Sequence, residues 1–92
     1  MWNKWEHEKG KPLKAEKYKE KAFIDIYKID EHYEIICSIS EHILFHTIFS
    51  NGTEEKALEE YEKVKKDLQH IIDDFQTEEE IEDLCYEFIE KW

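Results

Sequence analysis

Residues 22–29 and 32–40 are two alternating runs separated only by Asp30-Glu31, a spacing that forces them to be neighbours. The first, Ala-Phe-Ile-Asp-Ile-Tyr-Lys-Ile, is rich in the β-branched and aromatic residues that fit a pleated surface. The second puts Tyr33, Ile35, Cys37 and Ile39 on one side and His32, Glu34, Ser38 and Ser40 on the other, with Ile36 the exception. A two-residue polar break between such runs predicts an antiparallel hairpin. Residues 42–50 read in two ways. As a strand they put Ile43, Phe45, Thr47 and Phe49 on one face and Leu44, His46 and Ile48 on the other. As a helix they would open at Ser38, with Glu41 at capping-box spacing, and stop at Asn51-Gly52. The Ile, Thr and Phe content favours the strand. A strand apolar on both faces is expected in the middle of a sheet, or at its best-covered position.

Helical periodicity begins after Gly52. Ala57, Tyr61, Val64, Leu68, Ile71 and Phe75 recur at steps of four and three, with Leu58 and Ile72 widening the stripe. Thr53 is placed to cap the helix, and Glu54-Glu55 suit the positive end of its dipole. Thr77 and Glu80 have capping-box spacing and open a second helix, with an expected buried stripe of Ile81, Leu84, Cys85, Phe88, Ile89 and Trp92. Gln76 and Thr77 alone separate the two, so a helix hairpin is predicted.

The expected fold is therefore α+β: a three-stranded antiparallel β-meander (about 22–29, 32–40, 42–50) packed against a C-terminal two-helix hairpin (about 54–75, 78–91). Residues 22–92 form a single domain in this reading, since a chain of 92 residues supports one core. Residues 1–21, broken at Gly10-Lys11-Pro12, read as a Lys-rich N-terminal arm, a short helix or an extension of the first strand. Trp2, Trp5 and Trp92 are expected to meet and cap one edge of the core, or to form an exposed contact patch.

Charge is sorted along the chain. Residues 1–28 hold eight Lys and five acids, and residues 29–92 hold five Lys and nineteen acids, for a net charge of −11. All thirteen basic residues are Lys. Arg is the side chain that forks onto guanine edges and phosphates, so its absence and the negative balance argue against direct nucleic-acid binding. The segment Asp73–Glu90 carries nine carboxylates and no Lys, Arg or His. Phase sorts those acids to the outside of the helix hairpin, with Asp73 and Asp74 at its junction. Asp73, Asp74, Glu79, Glu82, Asp83, Glu87 and Glu90 are the expected partner-binding residues, with solubility the alternative role of the acid.

Other chemistry finds little support. His42 and His46 would share a metal only on a helix; on a strand they lie about 13 Å apart at ~3.3 Å per residue. Two glycines, Gly10 and Gly52, are too few for a phosphate-cradling loop, and no Gly-x-Ser-x-Gly elbow or Cys-x-x-Cys pair occurs. Cys37 and Cys85 fall in apolar patterns and are expected as buried free thiols. The chain is read as having no catalytic site, no metal and no cofactor. No run approaches the ~18 apolar residues of a membrane span, and a cytoplasmic location without membrane contact is expected.

In size, charge and element order the chain resembles the compact inhibitors that phages direct at nucleic-acid-binding host machinery, the anti-CRISPR and DNA-mimic proteins; no individual residue carries that resemblance. It implies an acidic protein-binding module acting in the host cytoplasm, blocking a basic nucleic-acid-binding protein. The alternative is a structural or regulatory homo-oligomer, for instance a homodimer joined through a strand edge or the Trp-bearing termini.

Overall fold

A computed structural model describes residues 2–6, 11–39, 44–74 and 77–92. The expected hairpin is its centre. Strands β3 (Ala22–Ile29) and β4 (His32–Ile39) pair from Ala22 opposite Ile39 to Ile29 opposite His32, turning at Asp30-Glu31. Asp30 takes the left-handed backbone conformation, which Asp tolerates better than most residues. Strand β5 (Leu44–Ser50) pairs with β4, so the strand reading of this segment holds over 44–50. Ser40, Glu41 and His42, which entered the helical alternative, lie outside the described residues.

Among the described residues the sheet has five strands, not three. Strands β1 (Trp2–Lys4) and β2 (Lys14–Tyr18) add to the free side of β3, giving an antiparallel meander in the order β1-β2-β3-β4-β5. Trp2–Lys4 and Lys14–Tyr18, within the expected arm or short helix, are thus strands of the sheet. The reason is chemical. On the covered side of β2 stand Lys14, Glu16 and Tyr18, which no apolar pattern would select. They are held by the polar flank of the helix above. Lys14 and Lys65 Nζ lie 3.2 and 2.8 Å from Glu62 carboxylate oxygens, Lys65 Nζ lies 3.3 Å from Glu16 Oε1, and Tyr61 Oη donates to Glu16 Oε1 at 2.9 Å. Net positive and net negative parts of the sequence are here a contact.

Helix α1 (Glu54–Asp74) is capped by Thr53, whose Oγ1 accepts from Lys56 N–H at 3.2 Å. Its stripe of Ala57, Tyr61, Val64, Leu68, Ile71 and Ile72 is buried against Ile24, Ile26, Ile35, Cys37 and their neighbours on one face of the sheet. Phe75 and Gln76, part of the predicted stripe and bend, lie outside the described residues. Helix α2 (Glu78–Lys91) opens on Thr77, whose Oγ1 accepts from Glu80 N–H at 3.2 Å, as the capping-box spacing predicts. It folds back beside α1, where Lys91 Nζ and Trp92 Nε1 both donate to Asp67 Oδ2 at 2.9 Å. Ile81, Cys85 and Phe88 face the core, and Phe88 meets the His46 ring of β5 edge-on. Ile89, expected in that stripe, is 42% exposed, because it sits on the flank of the helix rather than on the line through Ile81, Cys85 and Phe88.

Two further expectations are corrected. Strand β5 is an edge strand, not a central one, so the second apolar face it carries is uncovered: Phe45 and Phe49 are 74% and 63% exposed. The tryptophans do not gather at one place. Trp2 packs on Tyr18 and donates from Nε1 to Gln69 at 3.0 Å, Trp92 grips Asp67 on another side of α1, and Trp5 lies on the opposite face of the sheet against Phe23.

Tyr61 is the largest fully buried side chain, and its hydroxyl ties the apolar stripe to the polar flank. Substitution Tyr61→Phe keeps the packing and removes a donor to a carboxylate, an interaction contributing roughly 1.5–3 kcal/mol. A urea titration should show a midpoint lowered accordingly; an unchanged midpoint would mean that the bond adds nothing to stability.

Candidate functional site

The exposed side of α2 is a single acidic ridge. At about 100° per residue, Glu79, Glu82, Asp83, Glu87 and Glu90 fall within an arc of about 140°. All five are exposed, and among the described residues none of them enters an ion pair. Tyr86 lies inside the same arc and is 69% exposed. It has Glu82 and Asp83 one turn behind it and Glu90 one turn ahead. Tyr86 belongs to neither the acidic residues nor the apolar stripe that the sequence singles out; its place in the arc follows from the same phase count.

Asp73 and Asp74 do not belong to that ridge. Asp73 accepts from Tyr18 Oη at 2.8 and 2.9 Å and from Lys19 Nζ at 3.0 Å. The Lys19 ammonium first, and the Tyr18 hydroxyl second, hold its carboxyl below the usual carboxylate range, and the same contacts raise both partners. Lys19 and Glu20 both adopt left-handed backbone, disfavoured for side-chain-bearing residues, in the turn that brings Lys19 to Asp73. Asp74 pairs with His70 one helical turn back, at 3.1 Å. These two acids fasten the end of α1, whereas five of the seven predicted residues remain together on α2.

The other face of the sheet was not foreseen as a site. Among the described residues no helix lies on it, and Phe23, Tyr27, Ile36, Phe45 and Phe49 are all turned to that side with Trp5. Asp25 stands in the same layer at only 5% exposure and accepts from Tyr27 Oη at 2.9 Å. The signal in the sequence was there: Phe23 and Tyr27 alternate with Ile24 and Ile26, and 44–50 is apolar on both sides. Both patterns imply a sheet with two apolar faces, and two helices cover only one.

The remaining candidates are structural. His46 faces α2 and Phe88, and its Nε2 is buried with no hydrogen-bond partner among the described residues. His42 lies outside them. Cys37 and Cys85 are buried free thiols. Burial first, and the charge of Asp25 second, push the Cys37 thiol up to about 12; burial and then Glu82 raise Cys85. Neither supplies a thiolate at neutral pH. Among the described residues no group of three or more His, Cys, Asp or Glu could hold a metal, and no helix is long and apolar enough to cross a membrane.

No protein-family model, curated protein or solved structure matches this chain.

The lowered Asp73 carboxyl fixes the sign of a pH effect. The ordinary value is near 3.8, so its contribution to stability is complete above that pH and disappears as pH falls through the lower folded value. Asp73→Asn should flatten the acid limb of the stability profile between the ordinary value and the lower folded one, read as urea midpoints at several pH values. An acid limb identical to that of the parent chain would contradict this role.

Proposed function

We propose that this chain is a non-enzymatic protein-binding module that offers the acidic ridge of α2 to a basic surface, in competition with nucleic acid for a nucleic-acid-binding protein. The observation that carries the reading is the ridge itself: five carboxylates without ion pairs among the described residues, fixed on one side of a capped helix, around an exposed tyrosine. From Glu79 to Glu90 they span about 16 Å at ~1.5 Å per residue, close to one charge per 4 Å. One strand of duplex DNA carries a phosphate per ~3.4 Å of axis. A fixed negative field of this density steers a cationic groove toward it and accelerates encounter. Tyr86 supplies the amphipathic contact, favoured at interface centres, that charge alone lacks.

A second reading is a homo-oligomer joined through the open sheet face or the β5 edge. The exposure of Phe45 and Phe49 on an edge strand favours it. Salt separates the two. Association through the ridge weakens as ionic strength rises, while self-association through Phe45 and Phe49 persists.

The triple variant Glu82→Lys, Asp83→Lys, Glu87→Lys should lose the partner captured from a lysate at low salt. Its thermal midpoint should stay nearly unchanged, since exposed substitutions usually shift stability by no more than about 0.5 kcal/mol each. Undiminished capture would sink the ridge as the binding surface. Salt-insensitive dimers in light scattering, abolished by Phe45→Ser with Phe49→Ser, would instead select the oligomer.

A further inference from the structure

On the open face, across the sheet from α2, Trp5, Phe23, Tyr27 and Phe45 stand around a hollow of about 260 Å³ with Asp25 in its lining. Register explains the opening. Phe23 and Phe45 are each paired with Ser38, so the two rings rise from β3 and β5 with only a serine between them on β4. At a strand spacing of about 4.8 Å their backbones are about 9.6 Å apart. The serine is too small to fill that gap. Trp5 closes another side, its ring 4.9 Å from that of Phe23 and tilted by 55°, so the two form walls at an angle rather than a flat stack. Tyr27 donates its hydroxyl to Asp25 Oδ2 at 2.9 Å, which orients the carboxylate in the lining.

We propose that this hollow is a binding site for a quaternary ammonium group of the choline type. Aromatic faces attract a cation through their negative quadrupole when it sits within about 6 Å of the ring centres. Four rings and a carboxylate surround a volume too small for a drug-sized ligand, for which about 300 Å³ is the lower bound, yet ample for a single ammonium head. Alkylation suits the lining, because methyl groups take the place of N–H donors that rings would leave unsatisfied. The carboxylate selects the sign of the ligand. Burial first, and Asp25 second, push the Tyr27 hydroxyl up to about 12, so it remains a donor to Asp25 at neutral pH.

The test compares choline with its uncharged isostere 3,3-dimethylbutanol, titrated into the full chain and followed through the Trp5 indole resonance. Choline should saturate the site, and the isostere should bind at least about tenfold more weakly, since only the cation draws on the rings and Asp25. Phe45→Ala, at a side chain 74% exposed and therefore not needed for folding, should weaken choline binding several-fold; Asp25→Asn should reduce the preference for the cation to what the rings alone supply. Equal binding of the two ligands would reduce the hollow to an apolar patch and overturn the proposal. So would the absence of choline binding, unchanged affinity in Phe45→Ala, or Trp5 shifts that follow protein concentration instead of ligand, the mark of a second copy on this face.

Discussion

The contact of α1 with one face of the sheet is the interaction on which the rest of this molecule depends. Val64 and Leu68 are fully buried against Ile24, Ile26 and Ile35, and Tyr61 extends that burial to the rim, where its hydroxyl reaches Glu16. From there the stabilising chemistry changes from apolar to ionic. Lys14, Glu16, Glu62 and Lys65 form a chain of short contacts that seats β2 beneath the helix. The half-exposed pairs of Lys14 are individually weak, but Lys65 and Glu16 are largely covered, and a network that also carries a buried tyrosine hydroxyl is cooperative in a way that isolated surface pairs are not. Tyr18, Lys19 and Asp73 repeat the arrangement at the far end of the helix.

One-sided cover has a consequence for the other side. Two helices cannot enclose a five-stranded sheet, and the uncovered face holds aromatic residues where a solvated face would carry polar ones. The molecule therefore shows two surfaces of opposite chemistry. Beyond the helices there is an acidic ridge, dense in charge and centred on Tyr86. Beyond the sheet there is an aromatic layer with Asp25 sunk into it. The two are far enough apart in the fold, and different enough in kind, that they can serve different ligands.

How much of this could be read from the sequence follows from what kind of burial each element uses. Strands β3, β4 and β5 and both helices were legible because their covered faces are apolar at the period of two or near four: Ile24, Ile26, Ile35, Cys37 and Ile39 in the sheet, and Ala57, Tyr61, Val64 and Leu68 in α1. The strand β2 was not, because its covered positions are Lys14, Glu16 and Tyr18, whose partners lie 48, 45 or more residues away. Edge position escaped for a related reason. The apolar faces of 44–50 could be recognised, but whether a layer lies over both depends on how many helices there are to supply one. On α2 the ridge was found by phase, while Asp73 and Asp74 looked equivalent to it until Tyr18, Lys19 and His70 were seen beside them.

In the proposed function α2, rather than the sheet, meets the macromolecular partner. Cross-saturation NMR on the labelled chain, with the captured basic partner unlabelled, reads that footprint directly. Attenuation should centre on the amides of Glu79, Glu82, Asp83, Tyr86, Glu87 and Glu90 and leave β5 unaffected. Attenuation confined to Leu44–Ser50 and the other strands would contradict it.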